Sequence, residues 1–141
     1  MKKLILIAAM ILMAGISFGQ SLQKGTILGL HSGAPVVLNA GFTMDQYLSF
    51  LHEKYIPAFE KNFPGMKIFI LKGRRGECID NIGFLYSIDS DAIRDKYWTS
   101  EGVMSDLGKA ASEKMKDLDA ELSKFVKDSS TPDKYTDWLV L

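Results

Sequence analysis

The stretch from Met66 to Asp89, MKIFILKGRRGECIDNIGFLYSID, constrains the fold most, because it predicts a β-hairpin. Its two ends, MKIFILKG and GFLYSID, are rich in β-branched and aromatic residues, and a polar connection containing glycine separates them. Successive side chains of a strand point to opposite faces, and here both faces are largely apolar. A sheet with one face in water instead alternates apolar and polar residues. Each face of this hairpin therefore needs a covering layer.

Residues 1–19, MKKLILIAAMILMAGISFG, have the layout of a secretory signal peptide. Lys2 and Lys3 precede an apolar run over residues 4–13, and the small residues Ser17 and Gly19 fit the −3 and −1 positions of a cleavage site. A membrane anchor is the alternative, but a span needs about 20 apolar residues and this run is shorter. We expect cleavage after residue 19 and a periplasmic or secreted protein that is free of the membrane.

The mature chain, residues 20–141, has the size of one domain. The whole sequence carries 17 basic and 17 acidic side chains without a basic patch among aromatic residues, so we expect no nucleic-acid partner. Cys78 is the only cysteine, so no internal disulfide forms and stability must come from apolar burial. For Cys78 itself, a partly buried thiol is a commoner state than a bond to a second subunit. The two histidines and Cys78 are widely separated, so we expect no metal site and no cofactor.

The remaining segments show strand and helix patterns in turn. GTILGLH at 25–31 predicts a first strand, and YTDWLVL at 135–141 predicts a last one. A helix is predicted from Thr43, which begins a capping-box pattern, and Pro57 is expected to kink or break that helix in its last turns. Apolar spacing predicts a short helix at 91–98 and a longer one from about 105 to 126.

The order strand, helix, strand, strand, helices, strand predicts an α+β protein of the ferredoxin-like βαββαβ type. Its helices would cover one face of a four-stranded antiparallel sheet and leave the other bare. Exposing four or five large apolar side chains would forgo on the order of 10 kcal/mol, comparable with the whole stability of a domain. We therefore expect a homodimer in which two sheets face each other as an eight-stranded α/β barrel, wide enough for one small ligand.

Four stretches make the chain resemble the dimeric α/β barrel superfamily, which includes cofactor-free monooxygenases and haem-degrading enzymes. They are GTILGLH, the helix FTMDQYLSFLHEKYIPAFEKNFPG with the strand MKIFILKG that follows it, FLYSIDSDAIRDKYW, and YTDWLVL. The resemblance implies a homodimer with a ligand cavity between sheet and helices in each half. Haem-handling members generally place a histidine on the helix after the third strand, and SDAIRDKYW contains none, which disfavours haem. The superfamily does not determine one activity, because the fold hosts unrelated chemistries.

His31 and Asp137 are the candidate catalytic residues. His31 ends the first strand, where it would exchange a proton at a cavity mouth, although a surface histidine is commoner at such a position. Asp137 lies in an otherwise apolar last strand, where it either lines a pocket or protects a sheet edge. Gly29 lies inside a strand and either marks a bulge or leaves room for a ligand.

Strand alternation groups the candidate ligand-binding positions with the catalytic ones. We expect the sides that carry polar residues to line the barrel interior and the almost wholly apolar sides to pack under the helices. The predicted interior set is Ile27, Gly29, His31, Lys67, Phe69, Leu71, Leu85, Ser87, Tyr135, Asp137 and Leu139. The ligand-binding candidates in that set are Gly29, Phe69, Leu71, Leu85, Ser87 and Tyr135. The predicted helix-packing set is Leu28, Leu30, Ile68, Ile70, Phe84, Ile88 and Val140.

These patterns leave three functions open. The first is a module that binds a small apolar or aromatic ligand in the barrel cavity. The second is a small cofactor-independent monooxygenase or isomerase, in which His31 or Asp137 handles a proton. The third is a structural dimer whose interior is fully packed. No phosphate-binding loop, dinucleotide fingerprint or serine-histidine-aspartate arrangement appears in the sequence.

Overall fold

The protein forms a four-stranded antiparallel sheet with helices on one face. A computed structural model describes residues 22–31, 35–127 and 135–141; the predicted signal peptide lies outside them. The elements are β1 (Ile27–His31), α1 (Met44–Phe50), a π-helical segment (Leu51–Tyr55), α2 (Ile56–Asn62), β2 (Met66–Lys72), β3 (Ile82–Ile88), α3 (Asp91–Tyr97), α4 (Asp106–Glu113), α5 (Lys116–Phe125) and β4 (Tyr135–Leu139). The strands lie in the order β2-β3-β1-β4, all pairs antiparallel. This is the ferredoxin-like order, so the predicted α+β fold is confirmed.

The first helical region begins as the sequence predicts. The Thr43 amide donates to Gln46 Oε1 at 2.9 Å, and the Gln46 amide donates to Thr43 Oγ1 at 3.2 Å, which completes a capping box. Pro57 does not end this helical region; it follows a π-helical turn in which the Ile56 amide bonds to the Leu51 carbonyl five residues earlier. Since proline has no amide hydrogen and its ring crowds the carbonyl four residues back, the wider turn accommodates it.

The helix predicted from about 105 to 126 is divided into α4 and α5. At the junction the Lys114 amide donates to the Ala111 carbonyl and the Met115 amide donates to the Ser112 carbonyl, at 3.2 and 2.8 Å. These three-residue hydrogen bonds tighten the last turn of α4 and end its α-helical register. Met115 is 2% exposed, so the junction lies in the core.

The strand register divides the sheet into two faces, because residues directly opposite each other in paired strands share a face. The covered face, under the helices, holds Ile27, Gly29, His31, Met66, Ile68, Ile70, Lys72, Ile82, Phe84, Tyr86, Ile88, Tyr135, Asp137 and Leu139. The open face holds Leu28, Leu30, Lys67, Phe69, Leu71, Gly83, Leu85, Ser87, Thr136 and Trp138. The main core forms where the covered face meets Phe59, Phe63, Tyr97 and Met115.

The predicted face assignment is right for β2 and β3 and wrong for β1 and β4. Gly29, His31 and Asp137, expected to share a face with Phe69 and Leu85, lie on the covered face instead. Leu28 and Leu30, expected under the helices, lie on the open face. Alternation shows which residues of one strand point the same way, but the pairing between strands decides which of those sets lie together.

The connection between β2 and β3 is exposed. Cys78 is exposed there and free, which corrects the expectation of a partly buried thiol. Asp80 has a positive φ of 63° and forms a 3.2 Å ion pair with Lys72.

Of the helices that the structure describes, none is long and apolar enough to cross a membrane.

Candidate functional site

A pocket of about 280 Å³ lies between the covered face and the helical layer. Its floor comes from the four strands, and its walls come from α2, α3 and the loop after α3. The lining residues are Gly29, His31, Phe59, Met66, Tyr86, Ile88, Arg94, Trp98, Gly102 and Asp137. Most of these side chains are apolar or aromatic, so an enclosed ligand would exchange water for ring and methylene surfaces.

Gly29 makes the polar part of the floor possible. In the register it lies between Tyr86 of β3 and Asp137 of β4. A Cβ atom on residue 29 would lie 3.0 Å from Asp137 Oδ1 and 3.6 Å from the Tyr86 Cβ. Because glycine has no such atom, the Asp137 carboxylate can lie over β1. The Asp137 carboxylate thus uses the space beside Gly29, and the use of that space by a ligand stays a prediction.

Arg94 anchors that carboxylate from the opposite wall. Its Nε lies 2.9 Å from Asp137 Oδ2, and its Nη1 donates to the Thr99 carbonyl at 3.2 Å. The side chains of Arg94 and Asp137 are 18% and 29% exposed, so water screens this pair less than a surface pair. Ser90 caps α3 by accepting from the Ile93 amide, and Arg94 lies in the last turn of that helix. The ion pair thus connects α3 to the edge strand β4.

The sequence-based prediction missed Arg94. The available signal was an arginine in the helix after the third strand, combined with a lone carboxylate inside an apolar strand. A partly buried carboxylate needs a donor or a cation, so Asp137 on the covered face implies such a partner. Predicting Asp137 on the covered face required the pairing of β4 with β1, which alternation alone does not supply.

Aromatic rings form the other walls. Phe59 meets Tyr86 edge to face with centroids 5.8 Å apart, and His31 lies 4.9 Å from the same ring. Trp98 stacks on Phe63 at 5.9 Å with an interplanar angle of 12°. Edge and offset ring contacts of this kind are favourable and directional. The wall is therefore held by packing, with each ring supported by another.

The loop after α3 is a tight turn. The Thr99 amide donates to the Val103 carbonyl at 2.8 Å, and the Gly102 amide donates to the Thr99 carbonyl at 2.9 Å. Gly102 has a φ of 76°, which favours glycine. The turn holds Gly102 at the pocket, while the Thr99 carbonyl also accepts from Arg94.

Tyr97 supports the site from the core. Burial raises the pKa of its phenol, and its hydroxyl donates to the Pro64 carbonyl at 3.2 Å. This contact joins α3 to the turn before β2.

Within residues 22–31, 35–127 and 135–141, no three histidine, cysteine, aspartate or glutamate side chains are grouped to hold a metal ion.

The predicted site residues fall into two groups. His31, Asp137 and Gly29 line the pocket together. Tyr135 lies opposite His31 in the β1–β4 register, on the covered face. The other four candidates lie on the open face and do not line the pocket: Phe69, Leu71, Leu85 and Ser87. The structure thus brings both proposed proton-handling residues to one cavity and separates them from four of the six proposed ligand contacts.

Comparisons with known proteins add little to this description. No family model matches the chain, and no curated protein matches it. It is similar to a crystal structure of a dimeric protein of unknown function and ferredoxin-like fold from Bacteroides fragilis NCTC 9343. The identity is 12% and the TM-score 0.40, with 84% of this chain and 100% of the other covered. A likeness this distant transfers neither an assembly nor a role.

Proposed function

We propose that the protein binds a small, partly apolar molecule in the pocket between the covered face and α2 and α3. The observation that carries this proposal is a cavity of about 280 Å³ with mostly apolar and aromatic walls and one ion pair at its floor. Ligand sites in proteins typically measure about 300–1,000 Å³ and combine apolar walls with a few polar groups. The cavity volume lies just below the lower end of that range, which favours a ligand of one or two rings.

The open face supports a second part of the proposal, a homodimer. Phe69, Leu85 and Leu30 lie in one row across three strands. Phe69 and Leu30 are 40% and 37% exposed, and Trp138 at the edge is 59% exposed. A contiguous apolar patch of this kind marks an interface. Among the described residues of the paired strands, Lys67 alone is charged on the open face, so a second copy related by two-fold symmetry offers a matching apolar surface.

This arrangement changes where the ligand is expected. The open faces of two copies would pack together as the predicted α/β barrel, while each pocket lies on the opposite side of its own sheet. Ligand binding and dimerisation would then use different faces. We propose the same exported setting as the sequence predicts, and a mature chain that begins at Gln20 in N-terminal sequencing would support it.

Proton-transfer catalysis is a second candidate. It is favoured by one observation, the presence of His31 and Asp137 in the same pocket. In this candidate the His31 imidazole exchanges a proton with a bound molecule, and Arg94 holds the Asp137 carboxylate at the pocket floor. In that case His31→Gln would abolish turnover of a converted ligand while leaving its binding in place. Retained turnover would exclude this candidate.

The two tryptophans of the sequence provide the test of binding, because they lie on opposite sides of the sheet. Trp98 lines the pocket, and Trp138 lies on the open face. With ¹⁵N-labelled indole groups, a fragment set of one- and two-ring compounds should shift the Trp98 N–H resonance and leave that of Trp138 in place. Trp98→Phe assigns the two signals. Shifts confined to Trp138, or none with any fragment, would contradict the proposed pocket.

Dimerisation is tested separately by Leu85→Lys, which places a charge at the centre of the open face. Sedimentation velocity at micromolar concentration should show a dimer for the natural chain and a monomer for the variant. Leu107→Lys is the matched control, because Leu107 is 54% exposed on α4, away from the sheet. A natural chain that sediments as a monomer would overturn the dimer.

A further inference from the structure

The charge balance of the pocket restricts which ligands it can accept. Arg94 and Asp137 are the fully charged side chains among the lining residues, and they are paired at 2.9 Å. An anionic ligand beside this pair would be repelled by the Asp137 carboxylate, and drawing Arg94 away would leave that partly buried carboxylate without its cation. Removing the cation from a partly buried ion pair lowers the stability of the folded protein. The pocket is therefore poorly suited to carboxylates and phosphates, even though it contains an arginine.

The second oxygen of Asp137 has a different role from the first. Oδ2 is held by Arg94, whereas Oδ1 lies over Gly29 at the pocket floor. Among the described residues, the hydrogen bond from Arg94 is the one that the Asp137 carboxylate accepts. Oδ1 is thus available to accept from a hydroxyl or N–H group of a ligand. A hydrogen bond to an ionised acceptor is about twice as strong as one between neutral groups.

From these observations, and resting on the proposed ligand-binding function, we infer that the pocket selects a neutral, flat, ring-bearing molecule that donates one hydrogen bond to Asp137 Oδ1. The rings of Phe59, Tyr86 and Trp98 contact the apolar body, and Arg94 holds the carboxylate in place. Arg94 is a positioning residue in this scheme, since its charge is used on Asp137. The chemical class is that of phenols and N–H heterocycles, and it excludes their carboxylate derivatives.

Three related compounds test the inference: indole, benzofuran and indole-2-carboxylate. Benzofuran has nearly the shape of indole but no N–H donor, and the third compound adds a negative charge. We expect indole to bind tightest by isothermal titration, about tenfold or more tighter than benzofuran, the range for a hydrogen bond to a charged group. The carboxylate should bind weakest.

Asp137→Asn should change this order. It removes the acceptor charge and releases Arg94, so the preference for indole over benzofuran should fall and the carboxylate should gain affinity. Asp80→Asn is the matched control, because Asp80 also forms an ion pair but lies in the exposed hairpin connection. Its left-handed φ of 63° is one that asparagine adopts readily. The control should leave the order of the three compounds unchanged.

Gly29→Ala is the second variant, which keeps both charges and covers the case in which Asp137→Asn does not fold. Its added Cβ would displace Oδ1, so indole should lose its advantage over benzofuran while the melting temperature stays close to that of the natural chain. If benzofuran or the carboxylate binds the natural chain as tightly as indole, the inference is overturned and the proposed function stands. If none of the three compounds binds, the inference is overturned, and the fragment set that reports on Trp98 decides the proposed function separately.

Discussion

The two faces of the sheet are built from the same four strands, but the helices cover one of them. The covered face contains His31 and Asp137, and it carries the core. The open face combines apolar side chains with polar ones such as Lys67, and on it Phe69 is 40% exposed and Trp138 is 59% exposed. Both faces mix polar and apolar residues, so polarity alone does not decide which face the helices cover.

This difference shows that the packing partner, not the polarity of a strand, decides which face is covered. A polar group can be placed under helices when a partner meets it there, as Arg94 meets Asp137 at 2.9 Å. An apolar group can be left open in one chain when a second chain is available to cover it. In our proposal the covered face therefore supplies the ligand pocket, and the open face with its exposed apolar row supplies the interface.

The largest expected effect comes from comparing one substitution, phenylalanine to alanine, in the core under the covered face and on the open face. Phe63 is 3% exposed and contacts Phe59, Tyr97 and Trp98. Phe63→Ala should lower the free energy of unfolding by about 3–5 kcal/mol, the usual loss for a buried phenylalanine. Phe69→Ala on the open face should cost about 1 kcal/mol or less in a single chain, because its side chain keeps much of its contact with water.

Urea denaturation of both variants in the monomeric Leu85→Lys background gives this comparison without a contribution from dimerisation. Equal losses for Phe63→Ala and Phe69→Ala would show that both faces are equally covered within one chain. That result would remove the reason for a second copy.

A smaller loss of stability should appear at high pH, where the buried tyrosine Tyr47 on the covered side ionises. Burial, and to a lesser extent the charge of Tyr86, raises the pKa of Tyr47 from 10.0 to about 12. The folded state thus holds the phenolic proton more tightly than the unfolded state, so the stabilisation is present below pH 10 and is lost between pH 10 and 12. By pH 11 the loss should be about 1 kcal/mol.

Urea denaturation at pH 8 and pH 11 measures that loss, and Tyr47→Phe should reduce it because the titrating group is gone. The remaining pH dependence then reports the other buried phenols, including Tyr55, whose pKa is also raised by burial and by its hydrogen bond to Asp119. An unchanged slope in Tyr47→Phe would contradict the burial of the Tyr47 side chain.

The smallest predicted effect compares two ion pairs of different exposure. Arg94→Gln leaves Asp137 partly buried without its cation and should cost about 1 kcal/mol of stability. Lys72→Gln breaks a pair whose side chains are 56% and 76% exposed, so its cost should be near zero. Thermal denaturation at low and high salt checks both, since salt screens the exposed pair more. Equal costs would contradict the protected position of the Arg94–Asp137 pair.

The sequence predicted the element order well because local signals decide it. The capping box at Thr43, the two apolar runs around the β2–β3 connection and the helical spacing in residues 105–126 each lie within a few turns of chain. The predictions that were wrong depend on contacts between residues that are far apart in the chain. Met115 is buried in the core at the α4–α5 junction, and no local pattern of apolar spacing marks that interruption.

The candidate site was predicted in part for the same reason. His31, Gly29 and Asp137 stood out because each is unusual inside or at the end of an apolar strand. The structure brings these three to one pocket, whereas Phe69 and Leu85 lie on the other face. Arg94 was missed because its significance depends on Asp137, which is 43 residues away in the chain.

The sequence by itself determined the strands, the helices and the two sets of side chains that each strand presents, since these follow from periodicity and local hydrogen bonding. Tertiary structure alone decided which sets lie together, because antiparallel pairing joins residues far apart in the chain and a shift of one residue exchanges the faces. That pairing placed Gly29 between Tyr86 and Asp137, and so created the floor of the pocket.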